Sequence, residues 1–154
     1  MALIGPLTTL SAHLGHLARM MPAGALGRLY RSIVAHITNH IMQRAVYAGW
    51  SKFTEYGGQE LVSETSAWIE ASRSGLAECP SMRRPELPWQ PFVETARLLA
   101  LPTETREDEP VAFAQAVAMA FDSQYGRLTE LMHIKELDQG QAQTVLKRRN
   151  DCWR

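Results

Sequence analysis

Apolar residues recur at steps of three and four along nearly the whole chain, the period of an amphipathic helix. No segment sustains the period-two alternation of a half-buried strand. Leu7, Leu10, Leu14, Leu17 and Met21 form one seam and predict a helix over 5–21, stopped at Pro22. Leu26, Tyr30, Ile33, Ile37 and Ile41 predict a second over 24–50, with Arg28, Arg31 and Asn39 facing outward and Gly57-Gly58 breaking the chain after it. A third helix is expected over 59–73, with Leu61, Thr65, Trp68 and Ile69 inward. Gly75 is expected to take the left-handed conformation after its last turn, and Leu76 to fold back over it.

Residues 74–88 read as a proline-punctuated loop. Trp89, Phe92, Val93, Ala96 and Leu99 then predict a fourth helix over 89–100, Pro91 being tolerated in its first turn. The connector 101–109 is acidic. Val111, Ala114, Ala118, Phe121 and Tyr125 predict a fifth helix over 110–125. A sixth, over 138–149, opens with Asp138 as N-cap and Gln141 three residues on, a capping box, with Leu137 and Ala142 as a hydrophobic staple. Lys147, Arg148 and Arg149 fall in its last turn, where they suit the helix dipole. The expectation is an all-α bundle of six helices forming one domain over residues 1–154.

Composition agrees with a packed domain: 154 residues, 45% apolar and 21% charged, too apolar for intrinsic disorder. Two cysteines, Cys79 and Cys152, make no disulfide framework and point to a reducing compartment. No apolar run is long enough to span a bilayer, and residues 1–18 lack the basic start of a signal peptide. The formal charge is zero, against the basic excess of a dedicated nucleic-acid module. The distribution is uneven. Residues 1–50 carry four arginines and no acid, while residues 51–110 carry six basic and eleven acidic side chains.

His36 and His40 sit at i and i+4, the spacing of a zincin pair, but Thr38 and Asn39 occupy the place of its general base, and no third ligand stands at a recognisable spacing. Ile37 and Ile41 beside the pair read instead as core edge. His13 and His16 could meet them if the first two helices pack antiparallel. Neither cysteine has a CxxC neighbour, Gly57-Gly58 lacks the lysine of a phosphate loop, and Glu107-Asp108-Glu109 belongs to a solvated connector. The chain therefore reads as non-enzymatic, with no cofactor or metal. Arg28, Arg31, Lys147 and Arg148 are its candidate partner-binding residues.

Three segments carry a resemblance. Tyr47–Leu61, with its aromatic residues, Gly57-Gly58 and Gln59-Glu60-Leu61, is similar to the end of a long helix in the RINT/TIP family. Trp89–Pro102, ending in Leu98-Leu99-Ala100-Leu101-Pro102, resembles that family's aromatic, Glu-Ala, Leu-Leu-x-Leu-Pro segment. Leu137-Asp138, Gln141-Ala142, Val145-Leu146, Arg149, Asp151 and Trp153 resemble its closing helix. The order and spacing match over about residues 20–154.

The resemblance implies the C-terminal helical bundle of a subunit of the Dsl/NRZ vesicle-tethering complex, of the rod architecture shared with exocyst, COG and GARP. Such a bundle acts in Golgi-to-ER retrograde transport, peripherally on the cytosolic face of the endoplasmic reticulum. Its partners would be ER SNAREs or neighbouring tether subunits, with membrane association only through them and no direct nucleic-acid contact. Family members are several times longer, and the segment through which they pair with another subunit has no counterpart here. Two alternatives stay open: the cargo-binding tail of a class V myosin-like protein, and a small metal-dependent helical enzyme using His13, His16, His36 and His40. A third thread, the link of family relatives to DNA-repair and checkpoint partners, would concern protein contacts in the nucleus.

Overall fold

A computed structural model describes residues 3–153, and the fold is all-α, with seven α-helices among those residues. Helix α1 spans Ile4–Met20 and α2 spans Ala23–Ile41, separated by Met21 and an extended Pro22. Helix α2 does not continue as α-helix to residue 50. It widens into a π-helical turn, Met42–Tyr47, closed by the bond from Ala48 N to Gln43 O at 3.0 Å. The reason lies in a buried stripe at steps of four: Val34, Thr38, Met42 and Val46. At 3.6 residues per turn such a stripe drifts by about 40° per step, and the wider π turn rotates it back toward the core.

Helix α3 runs Glu55–Gly75, starting four residues before the predicted position because the Thr54 side chain accepts the Gly57 amide at 3.0 Å. Gly57-Gly58 thus lies inside the first turn rather than breaking the chain. A Cβ on Gly58 would stand 2.1 Å from the Leu99 carbonyl oxygen, so the start of α3 rests directly on the end of the next helix. Gly75 is likewise helical, not left-handed. A Cβ there would meet Ser11 O at 2.7 Å and Leu14 Cβ at 2.8 Å, so this glycine lets α1 lie against α3.

After a 3-10 turn, Leu87–Trp89, come α4 (Gln90–Leu99), α5 (Phe113–Phe121), α6 (Tyr125–Met132) and α7 (Gln139–Leu146). The predicted helix over 110–125 is therefore two, split at Asp122–Gln124. Its buried face is Phe113, Ala116 and Ala120, while Ala114 and Ala118 are exposed. The bulk of Phe113 decides that face. Helix α6 ends at His133, which is left-handed at φ 54°. The α7 capping box forms as expected, with Gln141 N to Asp138 Oδ1 at 2.8 Å and Asp138 N to Gln141 Oε1 at 3.0 Å.

Helix α4 is buried on most of its circumference, including a charged residue. Glu94, 1% exposed, accepts hydrogen bonds from the backbone amides of Lys135 (2.7 Å), Glu136 (3.0 Å) and Leu137 (3.0 Å), and from Gln90 Nε2. The lead-in to α7 is thereby clamped onto α4. Beyond α7 the arrangement is reciprocal. Helix α7 stops at Leu146, so Arg148 and Arg149 do not serve its dipole. Arg149, also 1% exposed, donates to the carbonyls of Leu99 (2.9 Å) and Leu101 (2.6 Å), acceptors left over where α4 ends. Its guanidinium also forms a two-point pair with Asp151 (2.8 and 2.5 Å) and lies 4.1 Å from the Phe113 ring centroid. Phe53 then pairs with this segment as a lone parallel bridge, Phe53 N to Arg148 O at 2.8 Å and Asn150 N to Phe53 O at 2.9 Å.

The two glycine environments predict opposite responses to one substitution. Gly58→Ala should lower stability by about 3 kcal/mol, since backbone must move to admit the methyl group. Gly126→Ala, at a helical position with nothing within 4 Å of the new carbon, should raise it by about 0.5 kcal/mol. Denaturant titration of the two variants checks both signs.

The acids around Arg149 predict an acid limb. Burial raises the Asp151 carboxyl, but the hydrogen bonds and charge of Arg149 outweigh it and hold the group below its ordinary value. Glu55 is also held low, first by the Thr103 amide and further by Arg106. Carboxylates with depressed folded values stabilise above the unfolded value and lose that contribution as pH falls through the folded one. Melting temperature should therefore drop steeply below about pH 4. Asp151→Asn should be less stable at neutral pH and show a shallower acid decline.

Candidate partner-binding surface

Helix α1 packs chiefly on α3 and touches α2 only sparingly, which leaves an open apolar groove between α1 and α2. Its walls are Leu10, Leu14 and Leu17 from α1 and Ile33 and Ile37 from α2, with Trp68 of α3 among the lining residues. The groove has a volume of about 480 Å³. Ile33 and Ile37, expected on the inward seam of α2, are only half-buried, because the inward stripe is Leu26, Tyr30, Val34 and Thr38. The polar members of the lining are Thr9 and His13, both exposed.

A buried polar network holds the α2 wall in place. Trp68 stacks on Trp89 with centroids 5.6 Å apart, and Trp89 Nε1 donates to Tyr30 Oη (3.1 Å) and Ser72 Oγ (3.2 Å). The Tyr30 hydroxyl donates in turn to Pro85 O at 2.5 Å, tying the proline-rich loop to α2. Burial, only partly offset by the hydrogen bonds of Ser72 and Trp89, raises the Tyr30 hydroxyl above its usual value and keeps it a donor. Trp68 Nε1 is buried and finds no acceptor among the described residues.

Arg28 and Arg31 are exposed. They border a shallow recess with Gly24, Gly27, Ser81 and Met82, a different part of α2 from the Ile33/Ile37 wall. Lys147 and Arg148 lie at the other end of the fold. Arg148 donates to the carbonyls of Gly49 and, at 2.9 Å, Ser51, and Lys147 Nζ stands 5.4 Å from the Phe121 ring centroid. The four cations named from the sequence are thus two pairs on two surfaces, with different roles.

The four histidines of α1 and α2 are exposed, His13 on the groove wall and His36 and His40 on α2. Among the described residues no three His, Cys, Asp or Glu side chains are placed to hold a metal ion. Cys152 is buried, which raises its thiol above its usual value, and Cys79 is half-buried against Ser81. In the acidic connector, Arg106 reaches Glu55 at 2.8 Å and so anchors the loop to the start of α3. No described helix is long and apolar enough to cross a membrane.

No family model, curated protein or solved structure matches this chain.

Sequence reasoning passed over the groove itself, because its residues belong to seams that read as core. The available signal was excess: Leu17, Ile33 and Ile37 extend the apolar stripes of two helices beyond what one helical neighbour covers. Trp68 serves both core and groove. Trp68→Ala should lower stability by about 3–5 kcal/mol, measured by denaturant titration, because its stacking on Trp89 is lost and a cavity opens.

Proposed function

We propose that the chain is a non-enzymatic helical binding module, the C-terminal bundle of a vesicle-tethering subunit acting in Golgi-to-ER retrograde transport on the cytosolic face of the endoplasmic reticulum. The RINT/TIP resemblance supplies the setting. The observation that carries the binding role is the α1–α2 groove, whose shape and apolar walls suit one helix face with anchors at helical spacing. Charge narrows the occupant. Helices α1 and α2 contain Arg28, Arg31 and four histidines and no carboxylate, with a further arginine, Arg19, paired to Glu78 at 3.6 Å, so the matching partner is an acidic amphipathic helix of an ER SNARE or a neighbouring tether subunit. A second copy of the same helices would bring like charges together.

The test is affinity capture with the purified chain, read for ER SNAREs and tether subunits. Ile37→Asp puts a charge into the apolar wall and should weaken capture of those proteins by about tenfold or more, as for a central interface contact. Arg28→Glu with Arg31→Glu, which lie outside the groove on the same helix, should leave melting unchanged and slow association, since charges beyond the contact act mainly on rate. Capture that survives Ile37→Asp, or failure to retain any of these proteins, overturns the reading.

A further inference from the structure

The joint between residues 49–53 and 147–153 carries a second exposed feature, of different chemistry from the groove. Trp50 is fully exposed and Trp153 is 68% exposed, although large aromatic side chains are normally drawn into the core. They belong to two segments that the backbone locks together, 49–53 and 147–153. The Phe53 bridge to Arg148 and Asn150 joins them. Arg148 binds the carbonyls of Gly49 and Ser51, the two neighbours of Trp50. Lys52 Nζ donates to Lys147 O at 2.6 Å. Lys147 and Trp153 both stand on the Phe121 ring, at 5.4 and 5.2 Å from its centroid.

The result is a cluster of Lys52, Lys147 and Arg148 beside two exposed indoles and a half-buried phenyl ring. Of the nearby acids, Asp151 is neutralised by Arg149, and Asp122, next to Phe121, is an exposed carboxylate that accepts the Ser123 amide. The rings stand out from two non-helical segments. A protein hot spot of tryptophan and arginine is expected in a desolvated pocket ringed by further contacts. Indoles at a bilayer need no such shape match: they sit at headgroup depth while flanking lysines and arginines meet anionic lipid.

We propose that this face of the molecule docks directly on an anionic membrane surface, with Trp50 and Trp153 entering the interface, Lys52 and Lys147 facing the headgroups and Arg148 bracing the segment that carries Trp50. The site shares no residue with the groove, so partner binding and membrane contact use different surfaces.

The experiment mixes the full chain with phosphatidylcholine vesicles containing about one-third phosphatidylserine, and with phosphatidylcholine alone, following sedimentation and tryptophan emission. Trp68 and Trp89 are buried, so a blue shift on vesicle binding reports Trp50 and Trp153. The expected result is sedimentation with the anionic vesicles only, weakened by salt, and a blue shift. Trp50→Ala with Trp153→Ala should abolish both while leaving the melting temperature near that of the wild type. Lys147→Gln should weaken vesicle partition by roughly fivefold, the effect of one interfacial cation. Sedimentation with neither vesicle, or undiminished binding by the double variant, overturns the proposal. So does an acidic peptide such as polyglutamate, if it produces the blue shift where vesicles do not, since the surface would then serve a protein partner.

Discussion

The fold depends on two opposite charges buried against one short helix, Glu94 midway along α4 and Arg149 at its C-terminal end, and never paired with each other. Glu94 in α4 gathers the amides that lead into α7. Arg149, beyond α7, gathers the carbonyls left where α4 ends. Each charge binds backbone as well as side chains, Arg149 also pairing with Asp151, so each fastens a chain segment rather than a single side chain. A buried ion is costly to desolvate, and that cost is offset only when its hydrogen-bonding capacity is filled. Here that capacity is filled in part by groups that would otherwise be orphans, carbonyls where a helix ends and the amides of a loop, and for Arg149 also by the Asp151 carboxylate. Losing either side chain would strand several backbone partners at once.

From that clasp the rest of the second half follows. Asp151 orients the Arg149 guanidinium, Thr103 bridges Asp151 and Glu55, and Glu55 holds both Thr103 and Arg106. The acidic connector therefore has a definite course although it contains no helix. The first half is built on another plan. Its polar contacts are few and concentrated in the Tyr30–Trp89–Ser72 cluster, and α1 is held by apolar packing on α3, closed down to backbone contact at Gly75. A polar clasp is directional and fixes one arrangement. Apolar packing tolerates a neighbour being added along its open side, and the groove lies on this half.

Much of the architecture is legible in the apolar period, because helix seams depend on spacing alone. The α1 seam, the Leu61/Thr65/Trp68 face of α3, the α4 face and the Asp138–Gln141 box all stand where the residues place them. The failures share a cause. Gly58 and Gly75 read as breaks because glycine is conformationally free, whereas here each serves close approach, which depends on a partner remote in sequence. The split between α5 and α6 was hidden by Phe121 and Tyr125, whose spacing runs straight across it. Glu94 and Arg149 look like surface charges, and only the backbone groups they meet, 41 or more residues away, make burial tolerable. The candidate cations were found by charge alone, so the sequence could not say that Arg28 and Arg31 share a recess while Lys147 and Arg148 brace a distant joint.

That joint shows why exposure is informative here. Burying Trp50 would gain about 25 cal/mol per Å² of apolar surface removed from water. Yet its flanking carbonyls, at Gly49 and Ser51, are held by Arg148, and Phe53, three residues on, is hydrogen-bonded to Asn150. With the backbone fixed on both sides, the indole is held out in solvent. The clasp that orders the interior thus also decides which aromatic rings the molecule presents, because Arg149, Arg148 and Asn150 are consecutive residues of one braced segment. An exposed ring on a mobile tail would lose much of its binding energy to ordering. On a braced segment that ordering cost has already been met in folding, leaving more of the ring's apolar surface to act on whatever it meets.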